Sequence, residues 1–268
     1  MLFSIIVVCL NPGKKLKDTL DSILGQDYKD YEIIVKDGGS TDGSLEAAGD
    51  LLRRECISFY QQKDQGIYDA MNQAVEHAQG AYLFFLNCGD SFHDSGVLSR
   101  VAQAVSQYHD RDRLILYGRI YGEKNRVWIT PSPKITGFTC YRNVPCHQAC
   151  FYSVVLCREK AFEQKYRIRG DYEHFLWCYY RGGASPVYLD TAIADYEGGG
   201  YSETKENLKR SKREHREITG KYMSRGERLR YRAALLCTLA PLRSFMADNR
   251  YLSGIYNRLR SLVYGRRH

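Results

Sequence analysis

What most constrains this chain is an order of segments repeated between Phe3 and Asp90. A short apolar run is followed by a polar or glycine-rich loop, and then by apolar residues at helical spacing. Ser4-Ile-Ile-Val-Val-Cys9 is ended by Asn11-Pro-Gly13, and Leu16, Leu20, Ile23 and Leu24 follow at helical spacing. Glu32-Ile-Ile-Val-Lys36 is broken by Asp37-Gly-Gly-Ser40, after which Thr41 or Asp42 can cap a helix from Gly43 to about Arg54. Ile57 to Tyr60 reads as a third strand. Residues 67–78 read as a helix closed by Gly80, and Tyr82-Leu-Phe-Phe-Leu86 as a fourth strand running into Asn87-Cys-Gly-Asp90. Strands alternating with helices predict an α/β fold with right-handed crossovers, a mostly parallel sheet covered by helices on both faces. The polar loops fall at the carboxyl ends of the strands, where open α/β sheets bind ligands.

Beyond Asp90 the order is less regular. Leu114 to Tyr121 and Arg126 to Ile129 read as two more strands, and a helix beginning near Asp171 carries Tyr172, Phe175, Leu176 and Tyr179 on one side. With 44% hydrophobic residues, the chain can bury a sizeable core, which excludes global disorder. The apolar run Ala233 to Leu242 contains Pro241 and falls short of the roughly 20 residues that cross a bilayer. Met1 to Leu10 has no basic start and no small-residue cleavage site, so it does not read as a signal peptide. Nine cysteines, an odd number in a chain too large to need staples, predict reduced thiols and a cytoplasmic setting. The cluster Cys140, Cys146, His147, Cys150 and Cys157 has no paired spacing of the structural-zinc kind, and its Tyr and Phe flanks suggest strand packing.

Charge divides the chain. Residues 205–268 hold 17 Lys and Arg against 5 Asp and Glu, while residues 1–204 hold 22 against 26. This predicts a near-neutral domain over 1–204 and a basic helical extension over 205–268. In the extension, Tyr251, Leu252, Ile255, Tyr256, Leu259, Leu262 and Val263 recur at helical spacing among arginines. Such a helix suits the cytoplasmic face of a membrane, or it docks on the domain or on a second subunit as a homodimer element. Nucleic acid is disfavoured, because no nucleic-acid-binding motif accompanies the charge.

The first strand is not followed by G-x-G-x-x-G, and the chain contains no Walker, G-x-S-x-G or H-E-x-x-H motif. What remains for chemistry is a set of carboxylates next to predicted strand and helix ends: Asp37, Asp64, Asp90 and Asp171. Clustered carboxylates suit a divalent cation bridging to a diphosphate, or hydrogen bonds from a nucleobase imide and ribose hydroxyls. Each has a structural reading too: Asp37 as a turn former, Asp42, Asp64 and Asp171 as helix caps.

Four blocks carry a resemblance. Ser4-Ile-Ile-Val-Val-Cys-Leu-Asn11, Val35-Lys-Asp-Gly-Gly-Ser-Thr-Asp-Gly43, Asp64-Gln-Gly-Ile-Tyr-Asp-Ala-Met-Asn72 and Phe85-Leu-Asn-Cys-Gly-Asp90 resemble the signature blocks of family 2 glycosyltransferases with the GT-A fold, in particular the bacterial surface-polysaccharide enzymes of the colanic-acid type. The resemblance covers roughly residues 3–200. It implies an inverting, metal-dependent transferase that moves a sugar from a nucleotide-diphosphate donor to a hydroxyl of a polyprenyl-diphosphate-linked or oligosaccharide acceptor, peripheral on the inner face of the cell membrane. Leu10, Asn11, Asp37 and Asp64 would contact the nucleotide sugar, with Asp37 reading the base. Asp90 would hold Mg²⁺ or Mn²⁺ on the diphosphate, and Asp171 would be the general base.

The chain departs from the pattern at two places. Gly89 stands where many relatives carry another Asp, so the metal would rest on one carboxylate. Gly170 stands where many have Glu before the base, which leaves Glu173 as the alternative to Asp171. His147, in Pro145-Cys-His-Gln-Ala149, resembles a His-Gln element near the active site of relatives, and also reads as a buried structural histidine. Gly198-Gly-Gly200 before Tyr201-Ser202 reads as a hinge over the donor, or as a linker into the tail. A sugar-1-phosphate nucleotidyltransferase and a non-catalytic nucleotide-sugar sensor are the competing functions.

Overall fold

A computed structural model describes residues 1–198 and 204–237. The amphipathic stretch read between Tyr251 and Val263, and Gly199, Gly200, Tyr201 and Ser202 of the predicted hinge, lie outside those residues.

The first half of the chain runs β1 (Phe3–Cys9), α1 (Lys15–Leu24), β2 (Tyr31–Asp37), α2 (Ser44–Ala47), α3 (Gly49–Leu52), β3 (Ile57–Gln61), α4 (Ile67–Val75) and β4 (Tyr82–Phe85). Then come β5 (Ser91–Phe92), α5 (Val97–Ser106), β6 (Leu114–Gly122), β7 (Val127–Ile129), α6 (Gly137–Arg142) and β8 (Cys150–Ser153). The chain continues with α7 (Val154–Glu159), α8 (Gly170–Tyr180), β9 (Ser185–Tyr196), α9 (Lys205–Tyr222) and α10 (Arg225–Cys237).

Among the described residues, nine strands form one sheet, ordered β3-β2-β1-β4-β8-β6-β9-β5, with β7 paired to β6. The first four are parallel, with Ile5 of β1 opposite Ile33 of β2 and Phe84 of β4. Every residue of β1 and β2 is buried, as a sheet covered on both faces requires. Alternation sends Ile5, Val7, Ile33, Val35 and Phe84 into one core with Leu16, Leu20 and Ile23 of α1 and Val97, Leu98 and Val101 of α5. Ile6, Ile34 and Phe85 are buried outside that core, and α4 packs on β1 and β2. Each such buried side chain contributes roughly 1.5–3 kcal/mol relative to exposure.

Three local expectations are corrected. The single helix from Gly43 to Arg54 is two short helices broken at Ala48–Gly49, where glycine costs helix stability. The next helix ends at Val75, with Glu76 and not Gly80 at its cap. Gly80 answers to packing instead: a β-carbon there would lie 2.5 Å from the Phe3 carbonyl carbon and the Ser4 nitrogen. Finally, α8 is not one-sided. Glu173, His174 and Cys178 are buried along with Tyr172, Phe175 and Leu176, so the helix is enclosed.

The sheet also holds three strands that the sequence pattern does not reveal: β5, β8 and β9. Antiparallel β8 sits between β4 and β6, and β9 runs parallel to β6. The cysteines are free thiols, with Cys140, Cys150 and Cys157 buried.

Among the described residues, the chain divides into two compact units, Met1–Ile218 and 219–237. The first therefore runs past residue 204 into α9. In the second, α10 is started by a reciprocal pair: Glu227 Oε2 accepts the Ser224 N–H at 2.8 Å, and Ser224 Oγ accepts the Glu227 N–H at 3.2 Å. Among the described residues, no helix is long and apolar enough to cross a membrane.

Candidate active site

In the order β3-β2-β1-β4, the connection from β1 leads to β2 on one side while β4 lies on the other. That is a topological switch point, and the crevice above it is where such sheets bind ligands. The loops after β1, β2 and β4 all open there.

On the β2 side, polar side chains hold the loops. Asn11, at φ +50°, accepts the Thr41 N–H on Oδ1 at 2.9 Å and donates its own N–H to Ser40 Oγ at 2.8 Å. Asp42 reaches back to the same loop, accepting the Gly13 N–H at 2.8 Å as well as the Ser44 N–H at 3.1 Å. Asp37 is fully buried, and its carboxylate accepts the Gly39 and Ser40 N–H groups at 2.8 Å, Gln61 Nε2 at 3.0 Å and the Ser40 hydroxyl. Burial pushes that carboxyl up, but the hydrogen bonds from Ser40, Gln61 and Gly39 outweigh it and leave the acid stronger than usual. Asp37 thus directs its oxygens at its own loop.

Asp64 is the more available of the pair. It faces the backbone of Gly38, where a β-carbon would lie 2.7 Å from Asp64 Oδ2 and 3.4 Å from Leu10 Cδ1. Gly66 N–H caps its other oxygen at 3.0 Å. The Lys36 ammonium, 1% exposed, pairs with Asp64 at 3.2 Å and donates to the Asp37 and Gln62 carbonyls at 3.2 and 2.6 Å. Leu10 forms an exposed lip above them.

On the β4 side, Thr19 Oγ1 shapes the loop by donating to the Asp90 carbonyl at 2.8 Å and accepting the Gly89 N–H at 3.0 Å. Asp90 is buried, with Oδ1 accepting the Glu197 N–H at 3.1 Å. Burial pushes its carboxyl up to about 6 despite that bond and one from Gln148, and the nearby Glu197 and Glu123 charges add to the rise. Asn87 Oδ1 has no hydrogen-bond partner. These are hard oxygen donors around a carboxylate that burial has made reluctant to ionise.

Asp171 stands in the first turn of α8, whose Arg169 cap position has no side-chain cap of its own. Glu214 of α9 holds the segment that leads into the helix, accepting the N–H groups of Arg167, Ile168 and the cap residue Arg169 at 3.0, 3.0 and 2.9 Å. The Tyr68 hydroxyl of α4 lies 3.0 Å from Asp171 Oδ1 and 3.1 Å from the Ile168 carbonyl, two acceptors for its one proton. Burial, then the Asp171 charge, pushes the phenol well above its ordinary range, so it remains a donor. Gly170 makes this possible, because a β-carbon there would lie 2.7 Å from the Tyr68 ring. Glu173 is fully buried against Lys160 Nζ at 3.3 Å.

Two cavities meet at this point. One, of about 240 Å³, is lined by Asn87, Asp90, Glu197, Tyr68, His147 and Asp171 among others. A second, of about 530 Å³, is lined by Ile129, Pro131, Arg142, Arg169, His147 and Asp171 among others. His147 is 6% exposed, packs on Phe85 at 5.0 Å between ring centroids, and has no hydrogen-bond partner on either nitrogen. Burial depresses its basicity, so the ring is neutral.

The architecture and the four loop blocks correspond to a known family, whose model matches residues 4–176 under the description "Glycosyl transferase family 2". The chain belongs to glycosyl transferase family 2. Among its curated relatives is a "PGL/p-HBAD biosynthesis glycosyltransferase" of Mycobacterium bovis, 33% identical over 216 residues, 78% of this chain and 83% of the relative. The Bacillus subtilis protein EpsJ, an "uncharacterized glycosyltransferase", is 33% identical over 107 residues, 40% of this chain and 31% of its own. The fold is shared with S. aureus TarS 1-349 solved with UDP-GlcNAc, at TM-score 0.68 and 20% identity over 88% of this chain and 72% of that one. It is also shared with the mannosyltransferase PcManGT of Pyrobaculum calidifontis, solved with GDP-Man and Mn²⁺, at TM-score 0.58 and 15% identity over 97% and 84%. This family 2 glycosyltransferase has the GT-A type of α/β architecture. Three residues at its site are not readable from the motifs: Tyr68 is inside a block but signals only a helix, while Glu197 and Glu214 lie beyond the matched region.

Proposed function

We propose that the enzyme transfers a sugar, with inversion, from a nucleotide-diphosphate donor in the smaller cavity to an acceptor hydroxyl entering from the larger one. The observation that carries this reading is that Asp171 lines both cavities, whereas Asp90 and Asn87 line only the smaller. A base belongs where two substrates meet, and a diphosphate site belongs on one side of it. Asp171, held by Tyr68, accepts the hydroxyl proton as that oxygen attacks the anomeric carbon from the far side. A single displacement needs one base and no protein nucleophile. Leu10, Asn11 and Asp64 line neither cavity; they stand around the loop after β2, where they would take the nucleoside end of the donor, and Asp37 orders that loop. Neutral His147 forms a wall between donor and acceptor.

Mg²⁺ or Mn²⁺ belongs to the same proposal: among the described residues no three His, Cys, Asp or Glu side chains gather as a metal site, so substrate phosphate would have to complete the shell. Such ions take oxygen ligands and rest on one or two carboxylates plus substrate phosphates, and Asp90 with the unpartnered Asn87 Oδ1 offers that set. When bound, the cation would neutralise charge developing on the leaving diphosphate.

The larger cavity mixes Ile129, Pro131 and Ile135 with Arg142 and Arg169, and Trp128 of the adjoining β7 is exposed. That lining supports an acceptor both apolar and anionic, such as a polyprenyl-diphosphate-linked glycan of the bacterial surface-polysaccharide class, including the colanic-acid type. The basic extension supports a peripheral place on the inner membrane face. Sedimentation with anionic vesicles at low and high salt tests this. Protein that stays in the supernatant at low salt favours docking or a homodimer.

A thermal-shift screen against nucleotide sugars identifies the donor, since binding to the folded state raises Tm by mass action. Asp171→Asn is then expected to abolish transfer while keeping the donor-induced shift. Turnover within a few-fold of wild type would overturn the assignment of the base.

A further inference from the structure

We propose that Glu197 supplies the second carboxylate of the cation site, filling from the end of β9 the space that the side chain of residue 89 leaves vacant. This rests on the reading of the smaller cavity as a cation-assisted diphosphate site.

Four observations meet here. Gly89 has φ +101°, a conformation side-chain-bearing residues rarely adopt, and a β-carbon on it would lie 2.5 Å from Glu197 Oε2. The Glu197 carboxylate therefore occupies the volume through which a residue-89 side chain would project. Its backbone is fastened to the same place, because the Glu197 N–H donates to Asp90 Oδ1 at 3.1 Å. Asn87, Asp90 and Glu197 line one cavity, and Asn87 Oδ1 within it has no hydrogen-bond partner. Finally, Glu197 is already paired with a cation: Lys15 Nζ lies 2.5 Å from Oε2, and both side chains are about half exposed.

An exposed pair of this kind contributes only about 0–1 kcal/mol and is readily exchanged. Lys15 therefore acts as a resident monovalent substitute. A divalent ion, when bound, would take the place of that ammonium on Glu197; Lys15 begins α1. A purely structural pair, fastening β9 to α1, makes a different prediction: both partners would affect stability alike and neither would affect cation affinity.

The experiment is an Mn²⁺ titration of the full chain followed by electron paramagnetic resonance, with Mn²⁺ alone and with UDP or GDP added as diphosphate probes. Glu197→Gln is expected to weaken Mn²⁺ binding by about tenfold or more, because removing a charged ligand lowers affinity at oxygen sites. Lys15→Met is expected to tighten binding of Mn²⁺ alone several-fold, because the competing ammonium is gone. The double variant should behave like Glu197→Gln. Binding by Glu197→Gln within twofold of wild type, or a Lys15→Met variant that binds no tighter, overturns the inference while leaving the transferase reading intact. A wild-type chain that binds no Mn²⁺ with either nucleotide overturns both the inference and the cation-assisted reading.

Discussion

The Tyr68 hydroxyl reaches Asp171 Oδ1 at 3.0 Å across 103 residues of sequence, through a space that only a glycine at position 170 leaves open. Tyr68→Phe keeps the ring packing and deletes the donor. A hydrogen bond to a charged group contributes about 1.5–3 kcal/mol. If it acts in the transition state, kcat should fall roughly 10- to 100-fold, with the donor KM unchanged. Steady-state kinetics check this; a KM rise at constant kcat would remove Tyr68 from the base.

Gly170→Ala tests the same space from the other side. Alanine favours a helix, but its β-carbon would meet the Tyr68 ring at 2.7 Å. Overpacking of this sort costs about 1–3 kcal/mol and should outweigh the propensity gain. Chemical denaturation is expected to show net destabilisation together with a loss of kcat.

Asp90 makes a pH prediction. Its carboxyl is pushed up to about 6 by burial, above the usual carboxylate range, so its folded form favours the proton. The associated stability is present below about pH 4 and is lost as pH rises through about 6. Asp90→Asn removes that loss. With chelator present, it is expected to raise Tm by several degrees at pH 8, from an effect on the order of 2 kcal/mol, and to leave Tm nearly unchanged at pH 4. The same variant should lose Mn²⁺ affinity.

Lys36 is buried with Asp64 as its ion-pair partner. Lys36→Met strands that carboxylate, and breaking one side of a buried pair costs about 3–5 kcal/mol. Denaturant unfolding should show it, and adding Asp64→Asn should restore part of the loss by removing the stranded charge.

Glu214 anchors the segment that leads into α8. Glu214→Ala leaves three N–H groups without their acceptor, at about 1–3 kcal/mol for each buried group not rescued by water. A Tm drop of several degrees with reduced kcat is expected. Glu214→Gln should lose less, because its amide oxygen still accepts.

The parallel half of the sheet, and the loops that hold the candidate carboxylates, are legible in the sequence alone. Both are local: Ile5–Val8 and Ile33–Val35 are apolar runs inside β1 and β2, Asp37 ends β2, Asp90 follows β4, and Asp64 and Asp171 stand at helix starts. Strand β8, four residues long, and β9, buried only around Ala192–Ala194, have no such local signature and form because neighbouring strands offer them unpaired edges. The surroundings of each carboxylate come from the tertiary structure. It turns Asp37 onto its own loop, buries Glu173 against Lys160, and brings Tyr68 to Asp171, Glu214 to the start of α8 and Glu197 to Gly89. Hydrogen bonds and charge pairs act over a few ångströms of space whatever the separation along the chain. A glycine that looks like a missing residue in sequence is, in the fold, the room another side chain needs.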